Sequence, residues 1–220
     1  MNVKELSLKH LIRPSQGIDT DQAPVIIMLH GYGSNEEDLF SFASELPEKY
    51  FVISARAPYS LMPYGYAWYA INFDATDGKW SDHEQAKQSR DLIIQFIGEV
   101  CNAYGLNRSS VNLMGFSQGS ILSYAVALSH PHLISNVIAL SGYVNPELLE
   151  ESYVSKDHSQ LAVYASHGSV DQVIPVEWAR KTPEILSQLK IEHEYQEFPV
   201  GHGVAPQNFF SMLQWLNNHN

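Results

Sequence analysis

The chain has 220 residues, of which 45% are hydrophobic and 17% charged, an ordinary globular balance that excludes extensive disorder. Thirteen Lys and Arg against twenty-four Asp and Glu leave a net charge of −11. That charge repels polyphosphate and anionic lipid, so no nucleic-acid partner and no electrostatic membrane attachment are expected.

Taken in chain order, the alternation of Leu6, Leu8, His10 and Ile12 with Ser7, Lys9, Leu11 and Arg13 predicts a first strand over 6–13 with one partly polar face. Pro24 precedes VIIMLH (25–30), a continuous apolar run that fits a strand buried on both faces. Asn35 is the expected N-cap of a helix over EEDLFSFASEL (36–46), whose early acidic residues complement the helix dipole. FVISARA (51–57) reads as the next strand. Residues 59–80 follow as a long connection rich in Tyr, Trp and Phe.

In 89–104, Leu92, Ile93, Phe96, Ile97, Val100, Cys101 and Tyr104 recur at helical spacing, which makes Cys101 a core residue. As the lone cysteine it excludes an internal disulfide. VNLMGF (111–116) predicts a strand, and 118–130 a helix ending before Pro131. NVIALSG (136–142) and LAVYASHG (161–168) are further strands. A helix is expected from near Pro175 toward Lys190, then a strand at HEYQEFP (193–199) and a helix over 206–218. Strands alternating with helices imply an α/β fold, with parallel pairing through right-handed crossovers and chemistry at the carboxyl ends of strands.

No repeat, low-complexity tract or linker divides the chain, so one domain over 1–220 is expected. The opening residues lack an apolar stretch of signal-peptide length, and the longest aliphatic runs, such as Val25 to Leu29, are too short to span a bilayer. A soluble, cytoplasmic protein without stable membrane insertion is the expectation.

The strongest motif is Gly115-Phe116-Ser117-Gln118-Gly119, between a strand-like and a helix-like run. G-x-S-x-G in that setting is a nucleophile elbow: a strained turn exposes the serine oxygen, and flanking glycines let strand and helix approach. The competing reading is an ordinary Gly-rich turn. A serine hydroxyl needs a base, and in this arrangement the acid and then the histidine follow the serine. Among His130, His132, His158, His167, His193 and His202, the last sits in Val200-Gly201-His202-Gly203 just past the final strand, where glycines free a loop to aim the ring inward. His130 and His132 flank Pro131 as surface or capping residues, His158 lies in a polar loop, and His193 opens an exposed strand. Asp171, just after LAVYASHG, is the candidate acid; Asp157 is its rival, and a capping aspartate the alternative. His167 precedes the acid, which argues for a structural role.

Leu29-His30-Gly31-Tyr32-Gly33 follows the second strand. The backbone N–H groups of Gln118 and Tyr32 are the candidate oxyanion donors; a tight turn into the next helix is the plainer reading. No HExxH and no clustered Asp/His set occurs, so no metal is expected.

The segments LHGYGSNEEDL, GFSQGS, ALSGY, HGSVDQVIP and GHG occur in the order, and over most of the length, that resembles the phospholipase/carboxylesterase family of α/β hydrolases, which includes small bacterial carboxylesterases and acyl-protein thioesterases. The resemblance implies an α/β-hydrolase fold without a large cap. It implies Ser117, Asp171 and His202 as a triad, Tyr32 and Gln118 as the oxyanion hole, and no metal or organic cofactor. It departs from the commoner pattern at Ser120, where a further glycine is frequent. Residues 56–73 also lack the paired glycines and Trp-Phe-Asp tripeptide of thioesterase members, which weighs against an acyl-protein substrate.

Long connections are often functional. Tyr64, Tyr66, Trp68, Tyr69 and Phe73 either wall the nucleophile or form a satellite cluster under the loop. Phe116 and Val173, beside the candidate nucleophile and acid, join Tyr64, Tyr66 and Trp68 as candidate substrate contacts. The expected function is a serine carboxylesterase acting on small-molecule esters of short to medium chain. The alternatives are an acyl-protein thioesterase or lysophospholipase at the same site, and a non-catalytic binding protein on this fold. A homodimer through exposed aromatics near 59–73 is the remaining partner expectation.

Overall fold

The computed structural model describes residues 1–72 and 80–219. The continuous apolar runs become strands buried on both faces, as a mostly parallel sheet covered by helices requires. In chain order the elements begin with β1 (His10–Arg13), β2 (Val25–Leu29), α1 (Glu37–Phe40), β3 (Phe51–Ala55), β4 (Tyr59–Ser60), β5 (Tyr66–Ala67), β6 (Ile71–Asn72) and β7 (Trp80–Ser81). They continue with α2 (His83–Tyr104), β8 (Val111–Phe116), α3 (Gln118–Ser129), β9 (Asn136–Leu140), β10 (Ala162–Gly168), α4 (Val176–Ala179), α5 (Thr182–Gln188), β11 (Glu192–Phe198) and α6 (Pro206–Asn218).

The main sheet runs β1-β3-β2-β8-β9-β10-β11. Only β1 is antiparallel to its neighbour, β3. The chain steps outward from β2 to β3, then returns past β2 to β8, so strand order reverses between β2 and β8. A crevice at such a reversal, at the carboxyl ends of the strands, is where an open α/β sheet binds its ligand.

Side chains alternate across the sheet into two cores. Ile27, Ile53, Leu113, Val137 and Val163 pack with Phe96, Val100 and Leu122 from α2 and α3. Ile26, Met28, Val52, Met114 and Leu140 pack with Met212, Trp215 and Leu216 from α6. Cys101 is buried in the first. Every residue of α3 is buried, as expected of a helix that is apolar all round.

Several boundaries differ from the sequence expectation. The first strand covers only 10–13. The helix expected over 36–46 is a single turn, 37–40, although Asn35 Oδ1 does accept from Glu37 N–H at 2.7 Å. The helix read from residue 89 starts at His83, where Asp82 caps it by accepting from Gln85 N–H; its first turn is polar and leaves no apolar signal. The expected helix 175–190 breaks into α4 and α5. Pro183 has no N–H to offer the carbonyl four residues back and its ring crowds that carbonyl.

Phe96 is fully buried where α2 meets the sheet. Replacing Phe96 with Ala is expected to cost about 3–5 kcal/mol, read as a lower urea midpoint at unchanged slope. Replacing the surface-paired Lys87 with Ala should cost under about 0.5 kcal/mol.

Candidate active site

Four strand ends deliver the site, one on each side of the reversal and two further along. β8 ends at Phe116, and the next residue, Ser117, holds φ 53° and ψ −116° before α3 begins at Gln118. A positive φ is costly for a residue with a side chain and persists only where packing enforces it. The enforcement is visible. A Cβ on Gly115 would lie 2.4 Å from Gly119 O, and one on Gly119 would lie 2.0 Å from Leu29 O. Only glycines let β8, α3 and the end of β2 come this close.

His202 Nε2 lies 2.8 Å from Ser117 Oγ, and His202 Nδ1 lies 2.7 Å from Asp171 Oδ2. Asp171 Oδ1 accepts from the N–H groups of Val173 (2.8 Å) and Ile174 (3.0 Å). Burial would push the Asp171 carboxyl up, but the bond from His202 and the two backbone N–H groups outweigh it and hold the carboxyl below its ordinary value. The carboxylate therefore faces the imidazole in its ionised form. Since Asp171 accepts from Nδ1–H, Nε2 is the ring nitrogen left to accept from the serine hydroxyl.

The loop bearing His202 is laid against the end of β10. Ser169 N–H donates to Phe198 O at 2.7 Å and Val170 N–H to Val200 O at 3.2 Å. A Cβ on Gly168 would sit 2.1 Å from Gly201 O, whereas one on Gly201 or Gly203 would meet nothing within 4 Å. The glycine that the approach of this loop requires is thus Gly168, not the two that flank the histidine. Phe116 packs its ring 5.0 Å from that of His202.

The other histidines are engaged elsewhere. His167 Nε2 donates to Ile174 O at 2.9 Å and lies 3.3 Å from Asp171 Oδ2, bracing the acid's loop. His158, expected in a polar loop, is buried against Leu128 O. His130 pairs with Glu150. Asp157 is exposed and accepts from Ser159 N–H within its own turn.

After β2, the buried His30 accepts from Ala57 N–H at Nε2 and donates Nδ1–H to Gly31 O. Burial, the largest influence, pushes the His30 imidazole below its ordinary value, in keeping with this neutral tautomer. In a trans peptide the C=O and the following N–H point opposite ways. With Gly31 C=O turned to His30, Tyr32 N–H faces away from that ring. Gln118 opens α3, and the first N–H groups of a helix have no acceptor within it.

A cleft of about 370 Å³ opens beside Ser117 and His202. Its walls are mainly apolar: Tyr69, Ile71, Ile121, Tyr143, Val173, Ile174 and Trp178, with Tyr32 and Gln118 at the Ser117 end. Of the expected substrate contacts, Val173 lines it. Tyr64, Tyr66, Trp68 and Phe116 do not. Tyr64 is 87% exposed, because its loop carries it outward; Tyr66 packs under Arg56, and Trp68 is fully buried. Phe73 lies outside the described residues. Ile71, Ile121, Tyr143, Ile174 and Trp178 had no local signal, although Tyr143 and Ile174 follow strand ends, where this fold places ligand contacts. Among the described residues no group of three or more His, Cys, Asp or Glu could hold a metal, and no helix is long and apolar enough to cross a membrane.

The model of the phospholipase/carboxylesterase family matches residues 16–220. A probable carboxylesterase of Oryza sativa subsp. japonica is 25% identical over 118 residues, 53% of this chain and 44% of its own length. Acyl-protein thioesterase 1 of Eremothecium gossypii is 30% identical over 145 residues, 62% of this chain and 61% of its own. The chain thus matches about half of each of these two relatives. The crystal structure of the Bacillus cereus carboxylesterase superposes with a TM-score of 0.83 at 17% identity, covering 97% of this chain and 95% of that one, which shows the α/β-hydrolase fold.

Because the folded Asp171 carboxyl sits below its unfolded value, near 3.8, it adds stability at pH values above 3.8 that is lost as pH falls through the lower folded value. The stability difference between the protein and Asp171→Asn, from urea melts, should therefore be flat above about pH 5 and shrink below 3.8. A difference that is unchanged down to pH 3 would contradict the ionised, hydrogen-bonded carboxylate.

Proposed function

The chain belongs to the phospholipase/carboxylesterase family, and from that premise we propose that it hydrolyses carboxylic esters through a serine-bound acyl intermediate. The observation that carries the proposal is the unbroken line Ser117 Oγ, His202 Nε2, His202 Nδ1, Asp171 Oδ2, with separations of 2.8 and 2.7 Å. Nothing in packing alone calls for a hydroxyl, an imidazole and a carboxylate from three loops to meet at the mouth of an apolar cleft.

In this scheme Ser117 Oγ attacks the ester carbonyl carbon as His202 Nε2 takes its proton. Asp171 holds the ring's orientation and stabilises the imidazolium. Negative charge developing on the carbonyl oxygen is met by the N–H groups of Tyr32 and Gln118, each worth about 3 kcal/mol in such a site. The imidazolium then protonates the leaving alcohol. Water, deprotonated by His202, attacks the acyl-serine, and the acid departs with Ser117 restored.

The cleft supports uncharged, apolar substrates. Its volume is at the small end of ligand pockets, and Tyr143 and Trp178, 5.2 Å apart edge to face, close one side of it. Short to medium acyl or aryl esters fit these walls. Thioester hydrolysis at the same site is the second reading, favoured by the name of the Eremothecium gossypii relative. The buried free thiol of Cys101 is in keeping with a cytoplasmic setting.

Replacing Ser117 with Ala is expected to reduce kcat for p-nitrophenyl butyrate by at least about a thousandfold, with an unchanged thermal melt; retained turnover would remove Ser117 from the scheme. Trp178→Ala should raise KM for p-nitrophenyl butyrate about tenfold and leave the acetate ester less affected, since it removes apolar wall and not reacting groups. Equal losses for both esters would contradict the assignment of that wall. Rates on butyryl thioester and oxygen ester, compared side by side, decide between the two readings.

A further inference from the structure

We infer that the segment Gly65–Tyr69 is a positioning strap that sets the spacing between the two oxyanion donors, the N–H groups of Tyr32 and Gln118; this rests on the acyl-transfer reading. The two donors belong to different elements, the loop after β2 and the start of α3, and neither element alone fixes where one lies relative to the other. The strap touches both. At its first end, Gly33 N–H donates to Tyr66 O at 2.9 Å and Tyr66 N–H donates to Ser34 O at 2.8 Å, a two-residue antiparallel bridge that holds the loop on both sides of the turn at Gly33. Gly65 has φ +89°, and a Cβ there would sit 2.0 Å from Gly33 O, so the bridge can close only over a glycine. At its other end, the Gln118 side chain clasps the strap twice: its Oε1 accepts from Trp68 N–H and its Nε2 donates to Tyr69 O, both at 2.8 Å. Between these ends, Trp68 Nε1 donates to His30 O at 2.9 Å.

The strap is itself fixed. Ser89 Oγ on α2 donates to Trp68 O, so each polar group of Trp68 is engaged. The Arg56 guanidinium lies 4.3 Å over the Tyr66 ring, donates to Tyr66 OH at 2.9 Å, and is held by two 2.5 Å bonds to the buried Glu36 carboxylate. Burial alone would push the Glu36 carboxyl up, yet the Arg56 pairing holds it below its ordinary value. Such charge-assisted, two-pronged pairing fixes direction as well as distance. The chain of bonds from Gly33 through Tyr66 and Trp68 to the Gln118 side chain thus links the loop after β2 to the start of α3. Trp68 lies outside the cleft lining and the Gln118 side chain is turned to the strap, so their loss should disturb the donors' geometry more than ground-state substrate binding.

Two variants test this. Trp68→Phe keeps an aromatic ring, smaller than the indole, and deletes the N–H given to His30 O. Gln118→Met keeps length and backbone N–H and deletes both strap bonds. For p-nitrophenyl butyrate, each is expected to lower kcat at least about tenfold, since small misplacement of such groups is costly, with KM within about twofold. Affinity for an alkyl trifluoromethyl ketone should fall by the same factor as kcat/KM. In that adduct Ser117 Oγ bonds to the ketone carbon, its proton passes to His202, and the resulting oxyanion occupies the donor site. A purely structural role would lower the melting temperature without this matched loss. Unchanged kcat in the folded variants, or a kcat loss without loss of ketone affinity, overturns the strap assignment. So does failure of both variants to fold, which would make the segment part of the core. If the unaltered protein neither turns over the ester nor binds the ketone, the acyl-transfer reading itself falls, and the strap assignment falls with it.

Discussion

The arrangement depends on one short line of hydrogen bonds that no local structure supplies. Ser117, His202 and Asp171 arrive on three separate loops, from the ends of β8, β11 and β10, and must agree to within a few tenths of an ångström. A sheet with parallel strands makes this possible because it brings those carboxyl ends to one edge. Close approach then does the fine placement. Gly115 and Gly119 let the elbow fold back against β2, and Gly168 lets the histidine loop lie on the end of β10. At each of these points a single methyl group would separate the partners, so the site is held by what is absent from three residues as much as by what the others carry.

The same economy runs through the electrostatics. Asp171 is taken out of water, which by itself would favour its neutral form, yet it receives two backbone N–H groups and an imidazole N–H. The carboxylate is thereby a fixed acceptor whose second oxygen faces His202 and His167. After β2 the buried His30 plays a different part, engaging backbone groups with both ring nitrogens and so fixing the Gly31–Tyr32 peptide. Two histidines with similar glycine neighbours thus do unlike things: one is a partly exposed ring between a hydroxyl and a carboxylate, the other a buried clamp on the backbone.

The residues that sequence brings forward most readily are those whose chemical type stands out at a particular strand end. GFSQG, HGYG and GHG could be placed because a serine between glycines, or a histidine after a strand, has few other reasons to stand there. The apolar strands were legible for the same reason, since burial on both faces leaves an unbroken run. What the sequence hides is pairing across distance. Trp68 reads as a substrate contact because it is aromatic and sits in a long connection, yet it is 0% exposed and braces the backbone. Gln118 reads as a backbone donor, and the two hydrogen bonds its side chain makes with the backbone of residues 68 and 69 have no local signature. The glycines flanking His202 look decisive in the motif, while the steric demand falls on Gly168, far away in the chain. The split between α4 and α5 was the exception, readable in principle from Pro183.

The most direct test of the central claim is intact-protein and peptide mass spectrometry after brief exposure to a fluorophosphonate. The account predicts one adduct, on the peptide containing Ser117, formed rapidly in the unaltered protein and slowed by at least about a hundredfold in His202→Ala, because a serine without its base is a weak nucleophile. Absence of any adduct, labelling at another residue, or a rate indifferent to His202 would contradict it.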